Sequence, residues 1–196
     1  MAARKYRGSA RKRRSSFSHF LRRLILLAVI PALIWLAREH GLLEEEPESS
    51  SIDLSGIKGR VIRVHDGDTI TFIDEQGKKI KARLWGVDAP ELAQANGQEA
   101  MAYLDSLIGR SRQIVAEEVE YDQYGRMVAR VSLADGRVVN REMVAAGLAW
   151  VYKRYCTTAE CRVWQDDQAA AQKARLGLWA EKNPQEPWNW RRSHRR

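Results

Sequence analysis

Alternating apolar and polar residues in the middle of this 196-residue chain predict short β-strands. Residues 59–64, 69–73 and 79–85 alternate and are rich in β-branched side chains, and turn signals separate them. Two further strands are expected on either side of the "DQYG" turn, within residues 112–133. The pattern therefore predicts a three-stranded meander followed by a hairpin.

Other segments show helical spacing instead. Residues 96–109 carry apolar side chains on one helical face, and a short helix is expected to begin at Asn140 as its N-cap. A last helix is expected over about 159–175, with Gly177 as its C-cap. The element order predicts a mainly β fold, a five-stranded OB-fold barrel with about three α-helices packed on it.

An uncharged apolar run, residues 24–37, precedes the strands. As a helix it would reach roughly 21 Å, short of a ~30 Å hydrocarbon layer, so flanking residues must extend it. Residues 1–23 contain nine Lys and Arg and no acid, which predicts a cytoplasmic N-terminus with the remainder outside the cytoplasm. No small-x-small cleavage site follows. This favours an uncleaved membrane-anchor helix, and secretion after signal cleavage is the alternative.

Composition divides the rest of the chain into three segments. Residues 38–56 are an acidic, serine-rich linker, and residues 57–182 are the barrel domain. Residues 183–196 form a tail rich in Trp and Arg, whose Trp188 and Trp190 either pack on the barrel or contact a substrate.

The formal net charge of +8 comes from the two ends of the chain. Between residues 54 and 190, 19 basic residues balance 19 acidic ones. Overall charge is therefore no argument for nucleic-acid binding by the barrel domain.

Only two cysteines occur, Cys156 and Cys161 in "CTTAEC". Outside the cytoplasm so close a pair can form a local disulfide. Two thiols without neighbouring His or Cys residues make a poor zinc site, and unpaired structural thiols are the remaining alternative.

Polar clusters interrupt the predicted strands at their ends. The acidic and basic members are Asp66, Asp68, Asp88, Glu91, Arg83 and Arg126. In a meander, the second strand brings Asp68 back beside the third strand, close to Asp88. Converging carboxylates form an all-oxygen site that suits calcium or magnesium rather than zinc.

The basic members complement this acidic group. The guanidinium groups of Arg83 and Arg126 would bind a phosphodiester and stabilise the charge that develops during attack on phosphorus. Glu91 follows Pro90 and is the candidate base for the attacking water. Each cluster also has a purely structural interpretation, because "DGD" is a common turn and Arg83 could pair with Asp88 for structure alone.

The segments "VIRVHDGDTITF", "KARLWGVDAPE" and "YDQYGRMVARV" together resemble the thermonuclease, or staphylococcal-nuclease-like, family. The resemblance covers roughly residues 58–180. It implies an OB-fold barrel and calcium-dependent hydrolysis of phosphodiester bonds in DNA and RNA.

Position by position, the resemblance implies roles for individual residues. The implied metal ligands are Asp68, Asp88 and the main-chain carbonyl of Ala89. Asp66 is implied to lie close to the ion and to contact it through water. Those implied for catalysis are Glu91 as the base and Arg83 and Arg126 as transition-state clamps. Threonine is usual in the family at position 89, and a carbonyl ligand tolerates the change to alanine.

The resemblance also implies substrate contacts by Tyr124, Trp150 and Tyr152. Trp150 stands where relatives have tyrosine, so stacking on a base and simple core packing are both open. We therefore expect a membrane-anchored, extracytoplasmic nuclease with Ca²⁺ as cofactor, DNA or RNA as substrate and a monomeric catalytic domain. The alternatives are a non-catalytic OB module that binds oligonucleotides at the membrane, and a protein-binding adaptor.

Overall fold

The structure, a computed structural model, describes Leu36 and residues 55–194. The predicted basic tail (1–23), anchor (24–37) and linker (38–56) lie outside the described residues, apart from Leu36 and the last two linker positions. Within the described part of the chain, no helix combines the length and apolar character needed to cross a membrane.

Five of the seven described strands close into a barrel. The strands are β1 (Ile57–Val64), β2 (Thr69–Asp74), β3 (Lys79–Leu84), β4 (Val87–Asp88), β5 (Gln113–Tyr121), β6 (Met127–Leu133) and β7 (Trp150–Val151). The barrel order is β1-β2-β3-β6-β5, and β1 pairs with β5 to complete the circle. All these pairs are antiparallel except β3 with β6. The predicted five-stranded barrel is confirmed.

The alternation along β3 explains why this strand forms a barrel wall. Ile80, Ala82 and Leu84 are buried, whereas Lys79 and Lys81 between them are exposed. The apolar face therefore fills the barrel interior, and the other face is left free to carry polar groups.

The helices pack outside the barrel. They are α1 (Gly97–Ile108), α2 (Val139–Ala145), α3 (Ala159–Ala174) and α4 (Pro187–Ser193), with a 3₁₀ turn at Gly177–Ala180. The described residues thus contain four α-helices rather than about three. The additional helix, α4, lies in the Trp- and Arg-rich tail, where the short segment offered no apolar period to predict it.

Asn140 does not act as the N-cap of α2, so that prediction is wrong. Val138 precedes the helix, and the Asn140 side chain is fully buried. Its Oδ1 accepts the N–H of Val131 at 2.9 Å, and its Nδ2 donates to the carbonyls of Trp85 at 2.8 Å and Ala129 at 3.2 Å. The amide instead joins α2 to the barrel, because these buried backbone groups need partners.

The predicted C-cap at Gly177 is also wrong. Helix α3 ends at Ala174, and Arg175 adopts the left-handed conformation that closes it, with φ 55°. Gly177 begins the 3₁₀ turn, where its backbone lies against that of Gly147 and the N–H of Leu178 donates to the Gly147 carbonyl at 2.9 Å. Close approach of two backbones, rather than helix termination, explains this glycine.

Cys156 and Cys161 form a disulfide, with their Cα atoms 5.5 Å apart. Both residues are buried, beside Trp164 and Gly86. The bond ties the loop after β7 to the first turn of α3, which fits the disulfide alternative considered for this pair.

Candidate active site

Arg83 is held in place by the barrel register. It lies near the end of β3, opposite Thr69 of β2 and Val128 of β6. Its Nη1 donates to Asp68 Oδ1 at 2.8 Å and its Nη2 to Asp88 Oδ1 at 2.5 Å. One guanidinium therefore joins two carboxylates that are 20 positions apart in the sequence, as the meander predicted.

These two carboxylates are unusually well buried. Asp68 is 3% exposed and Asp88 is 0% exposed. Asp68 Oδ2 also accepts the backbone N–H of Ala89 at 3.1 Å, so residue 89 lies beside the carboxylate. Burial, together with the nearby Asp68 charge, raises the pKa of Asp88, although the hydrogen bond from Arg191 and the charges of Arg83 and Arg191 act against this rise.

Asp66 is the third acid of this group. Its Oδ1 accepts the backbone N–H of Asp68 at 3.0 Å, which closes the tight turn around Gly67. Burial and the nearby Asp68 carboxylate raise the pKa of Asp66 to about 6. The turn therefore brings two acids together at the entrance to β2.

Pairing of β4 with β7 places Asp88 in the register opposite Trp150. Three residues further on, the half-buried Glu91 accepts a hydrogen bond from Arg191 Nη1 at 2.8 Å on its Oε1. The backbone N–H of Glu91 donates to Gln94 Oε1 at 3.3 Å. Glu91 and the buried Asp88 thus share Arg191 as a hydrogen-bond donor.

Arg126 is positioned by the hairpin between β5 and β6. Its Nε donates to Asp122 Oδ2 at 2.7 Å, and its backbone N–H donates to Asp122 Oδ1 at 3.0 Å. Partial burial acts to raise the pKa of Asp122, but hydrogen bonds from Arg126 and Tyr124 and the Arg126 charge together lower it. The Asp122–Arg126 ion pair is therefore intact at neutral pH.

An open cleft of about 840 Å³ lies in front of these side chains. The predicted site residues among those lining it are Arg83, Glu91, Arg126, Tyr124 and Tyr152. Asp68 and Asp88 lie behind this surface, in contact with Arg83. The structure thus brings the three predicted catalytic side chains to one cleft and places the two aspartates at its base.

Trp150 does not line this cleft. Its ring packs edge-on against Trp179, with ring centres 4.2 Å apart, and against Trp188 at 5.9 Å. Tyr152 is on the cleft wall, stacked on Trp188 with the ring planes 4° apart. Both residues are half-buried, but only Tyr152 lines the cleft, whereas Trp150 packs within the aromatic cluster.

Sequence reasoning missed Asp122 and Arg191 at this site, whereas Trp188 was expected either to pack on the barrel or to contact a substrate. Asp122 orients Arg126, Trp188 covers Tyr152, and Arg191 contacts both Asp88 and Glu91. Asp122 had a local signal, because an Asp four residues before an Arg across a "DQYG" turn can bond back to it. Nothing in the spacing along the chain pointed to Arg191.

A divalent cation fits the chemistry of these donors. No group of three or more His, Cys, Asp or Glu side chains is already arranged as a metal cage within residues 55–194. Asp68 and Asp88 nevertheless supply only oxygen atoms, and the nearby His65 contacts Thr71 instead, at 2.8 Å. Because a buried carboxylate is stable only beside a positive charge, two buried carboxylates together form a favourable site for a hard cation.

Comparison with known proteins agrees with this geometry. A profile of the family described as staphylococcal nuclease homologue matches residues 81–181. A protein named "Uncharacterized endonuclease" from Escherichia coli O157:H7 is 40% identical over 135 residues, which cover 69% of this chain and 85% of that protein. A "Micrococcal nuclease" from Shigella flexneri is 36% identical over 144 residues, covering 69% of this chain and 81% of the relative.

A third relative, named "Uncharacterized endonuclease", comes from Haemophilus influenzae and is 38% identical over 136 residues, covering 69% of this chain and 74% of the relative. The chain belongs to the staphylococcal nuclease homologue family, and it is a nuclease, a hydrolase that acts on nucleic acid. Enzymes of this kind depend on a metal ion in general.

Proposed function

We propose that this nuclease is calcium-dependent and cleaves DNA and/or RNA at the cleft, as a monomeric catalytic domain. One observation carries the proposal: Arg83, Arg126 and Glu91 line a common cleft above the buried Asp68 and Asp88. Two guanidinium groups, the carboxyl of Glu91 and two buried carboxylates that suit a cation together favour attack on a phosphodiester. A protein that only binds nucleic acid would gain no affinity for phosphate from buried acids beneath its binding site.

In the proposed reaction, a water oxygen forms a bond to phosphorus, and the bond from phosphorus to the leaving ester oxygen breaks. Glu91 accepts the proton that the water loses. Arg83 donates hydrogen bonds to the phosphoryl oxygens, whose negative charge grows in the transition state. Arg126 donates to the leaving oxygen, which takes its proton from solvent.

The metal-holding residues in this proposal are Asp68, Asp88 and the backbone carbonyl of Ala89, with Asp66 acting through water. When bound, calcium neutralises phosphate charge and polarises the phosphoryl group. The observation that supports calcium is the all-oxygen character of these donors, which a flexible calcium shell accepts and zinc disfavours.

Aromatic residues on the cleft wall are the proposed contacts for nucleobases. Tyr124 is 73% exposed at the tip of the β5–β6 hairpin, next to Arg126, so its ring is open to stacking. Tyr152 lies on the cleft wall as well, and Trp188 contacts both Tyr152 and Trp150, so Trp150 belongs to the same aromatic cluster. Stacking of this kind contributes about 1–3 kcal/mol per base and tolerates many sequences.

We also propose that the catalytic domain lies outside the cytoplasm, held by residues 24–37 in the membrane. The basic residues before this apolar run and the disulfide between Cys156 and Cys161 support that side of the membrane. In fractionated cells the full chain should sediment with membranes and be digested by protease added to spheroplasts. Recovery in the soluble cytoplasmic fraction would exclude this location.

The central test is cleavage by the full chain with calcium or with a chelator, for wild type and Glu91→Gln. Loss of the general base is expected to lower kcat by about 10²–10⁴-fold, because glutamine cannot accept the proton from water. Glu99→Gln is the matched control, because Glu99 is exposed on α1 and does not line the cleft. It should cleave as wild type does.

Two results would count against the proposal. Undiminished cleavage in chelator would remove the metal from the reaction. Equal rates for Glu91→Gln and wild type would remove Glu91 as the base, provided that circular dichroism shows both proteins folded.

A further inference from the structure

Helix α4 places a positive charge on the acids of the candidate active site. Arg191 Nη2 donates to Asp88 Oδ2 at 2.8 Å, and its Nη1 donates to Asp88 Oδ1 at 3.1 Å and to Glu91 Oε1 at 2.8 Å. With Arg83 also on Asp88 Oδ1, both oxygens of Asp88 are engaged. The proposed base and a proposed metal ligand therefore share one guanidinium, which lies 100 positions after Glu91 and 103 positions after Asp88 in the chain.

The same helix covers an aromatic face of the cleft. Trp188 stacks on Tyr152 with ring centres 5.1 Å apart, so one face of the Tyr152 ring is already occupied. Trp188 also meets Trp150 edge-on at 5.9 Å. While α4 stays in this position, a nucleobase cannot stack on that face of Tyr152.

The attachment of α4 is suited to reversible release. The helix has seven residues and is joined to the 3₁₀ turn by a short irregular segment, in which the Gln185 carbonyl accepts a hydrogen bond from Gln94 at 2.5 Å. A separate cavity of about 230 Å³ remains between this segment and the loop that follows Pro90. In the Arg191–Glu91 pair both side chains are 35% exposed, and ion pairs that solvent reaches are weak, whereas the other partner of Arg191, Asp88, is fully buried.

We propose that α4 is an autoinhibitory element, which must leave the cleft before nucleic acid and a divalent cation can occupy it. This inference rests on the proposed function of the cleft. Arg191 competes with a cation for Asp88 and neutralises Glu91, and Trp188 competes with a nucleobase for Tyr152. The family profile matches residues 81–181, and α4 lies after the last of these.

The test compares the full-length wild type with Arg191→Gln, Trp188→Ala and Arg192→Gln. Arg192 is the matched control, because it is an exposed arginine next to Arg191 on the same helix. Cleavage of single-stranded DNA is measured over a range of calcium concentrations that includes limiting ones. Calcium binding without DNA is measured separately by isothermal titration calorimetry.

We expect Arg191→Gln to cleave several-fold faster than wild type at limiting calcium and to bind calcium several-fold more tightly. Trp188→Ala should also cleave faster at subsaturating DNA, through a lower KM. Arg192→Gln should match wild type in every measurement. Because Trp188→Ala leaves both ion pairs in place, it tests the idea even if Arg191→Gln folds poorly.

The outcomes separate this inference from the proposed function. Cleavage at equal rates by wild type, Arg191→Gln and Trp188→Ala would overturn autoinhibition and leave the nuclease site standing. Slower cleavage by Arg191→Gln would also overturn it, because Arg191 would then assist the reaction. A third outcome is that Arg191→Gln binds calcium more tightly but neither the wild type nor any variant cleaves DNA. This would support competition between Arg191 and calcium for Asp88 and would refute the proposed reaction.

Discussion

Two arginines reach the same buried aspartate from very different parts of the molecule. Arg83 extends from barrel strand β3 and Arg191 from the terminal helix α4, yet each donates to Asp88. Arg83 is 18% exposed and is paired on both sides by neighbouring strands, whereas Arg191 is 35% exposed on a seven-residue helix. The same ion-pair chemistry is thus fixed in one region and releasable in the other.

The difference follows from how each region is held. Five strands closed in a circle share their backbone hydrogen bonds, so the register of β3 cannot shift without opening the barrel. Helix α4 is too short to be stable alone and depends on its contacts with the cleft. We therefore expect Arg83 to act in the reaction and Arg191 to control access to it.

The largest effect that would test this contrast is expected from Arg83→Lys. Lysine cannot donate to Asp68 and Asp88 while also contacting a phosphate, so kcat should fall by about 10²–10³-fold. Loss of the paired hydrogen bonds should also lower the free energy of unfolding by about 2 kcal/mol. Steady-state kinetics and urea unfolding provide the two measurements.

A matched control for this variant is Arg130→Lys. Arg130 is also a half-buried barrel arginine, paired with Glu117 and Glu160 at 3.2 Å, but it does not line the cleft. It should keep the wild-type kcat. In urea, Arg191→Gln should lower the free energy of unfolding by less than Arg83→Lys does, because Arg83 still pairs with the buried Asp88. A loss as large as that of Arg83→Lys would show that α4 is held as firmly as the barrel strands.

A smaller effect is expected from Asp122→Asn, in the hairpin that orients Arg126. Asparagine can still accept the backbone N–H groups, but it loses the ion pair with the Arg126 guanidinium. The weaker orientation should lower kcat about tenfold with little change in KM. Asp122→Glu, which keeps the charge, should recover part of the rate.

The turn after β6 provides the control for the hairpin variant. Asp135 pairs with Arg137 at 2.9 Å in a similar turn that is remote from the cleft. Asp135→Asn should leave kcat unchanged. An equal loss of activity in both variants would mean that turn chemistry, rather than the position of Arg126, sets the rate.

The barrel itself was predictable from the chain because its signals are local. Alternating apolar residues identify each strand, and turn residues separate them, so the number of barrel strands and their order along the chain follow from short-range patterns. The convergence of Asp68, Arg83 and Asp88 was also predictable, since a meander brings adjacent strand ends together. The errors at Asn140 and Gly177 occurred where a local signal for a helix end was overridden by a tertiary contact.

The chain by itself thus determined the barrel, the acids and the guanidinium groups of the site, because these depend on strand order and nearby turns. The tertiary structure alone decided that Asn140 joins α2 to the barrel, and that Trp188 and Arg191 lie over Tyr152 and Glu91. Contacts across about a hundred positions leave no periodic trace in the sequence, because they depend on where two separately formed elements meet in space.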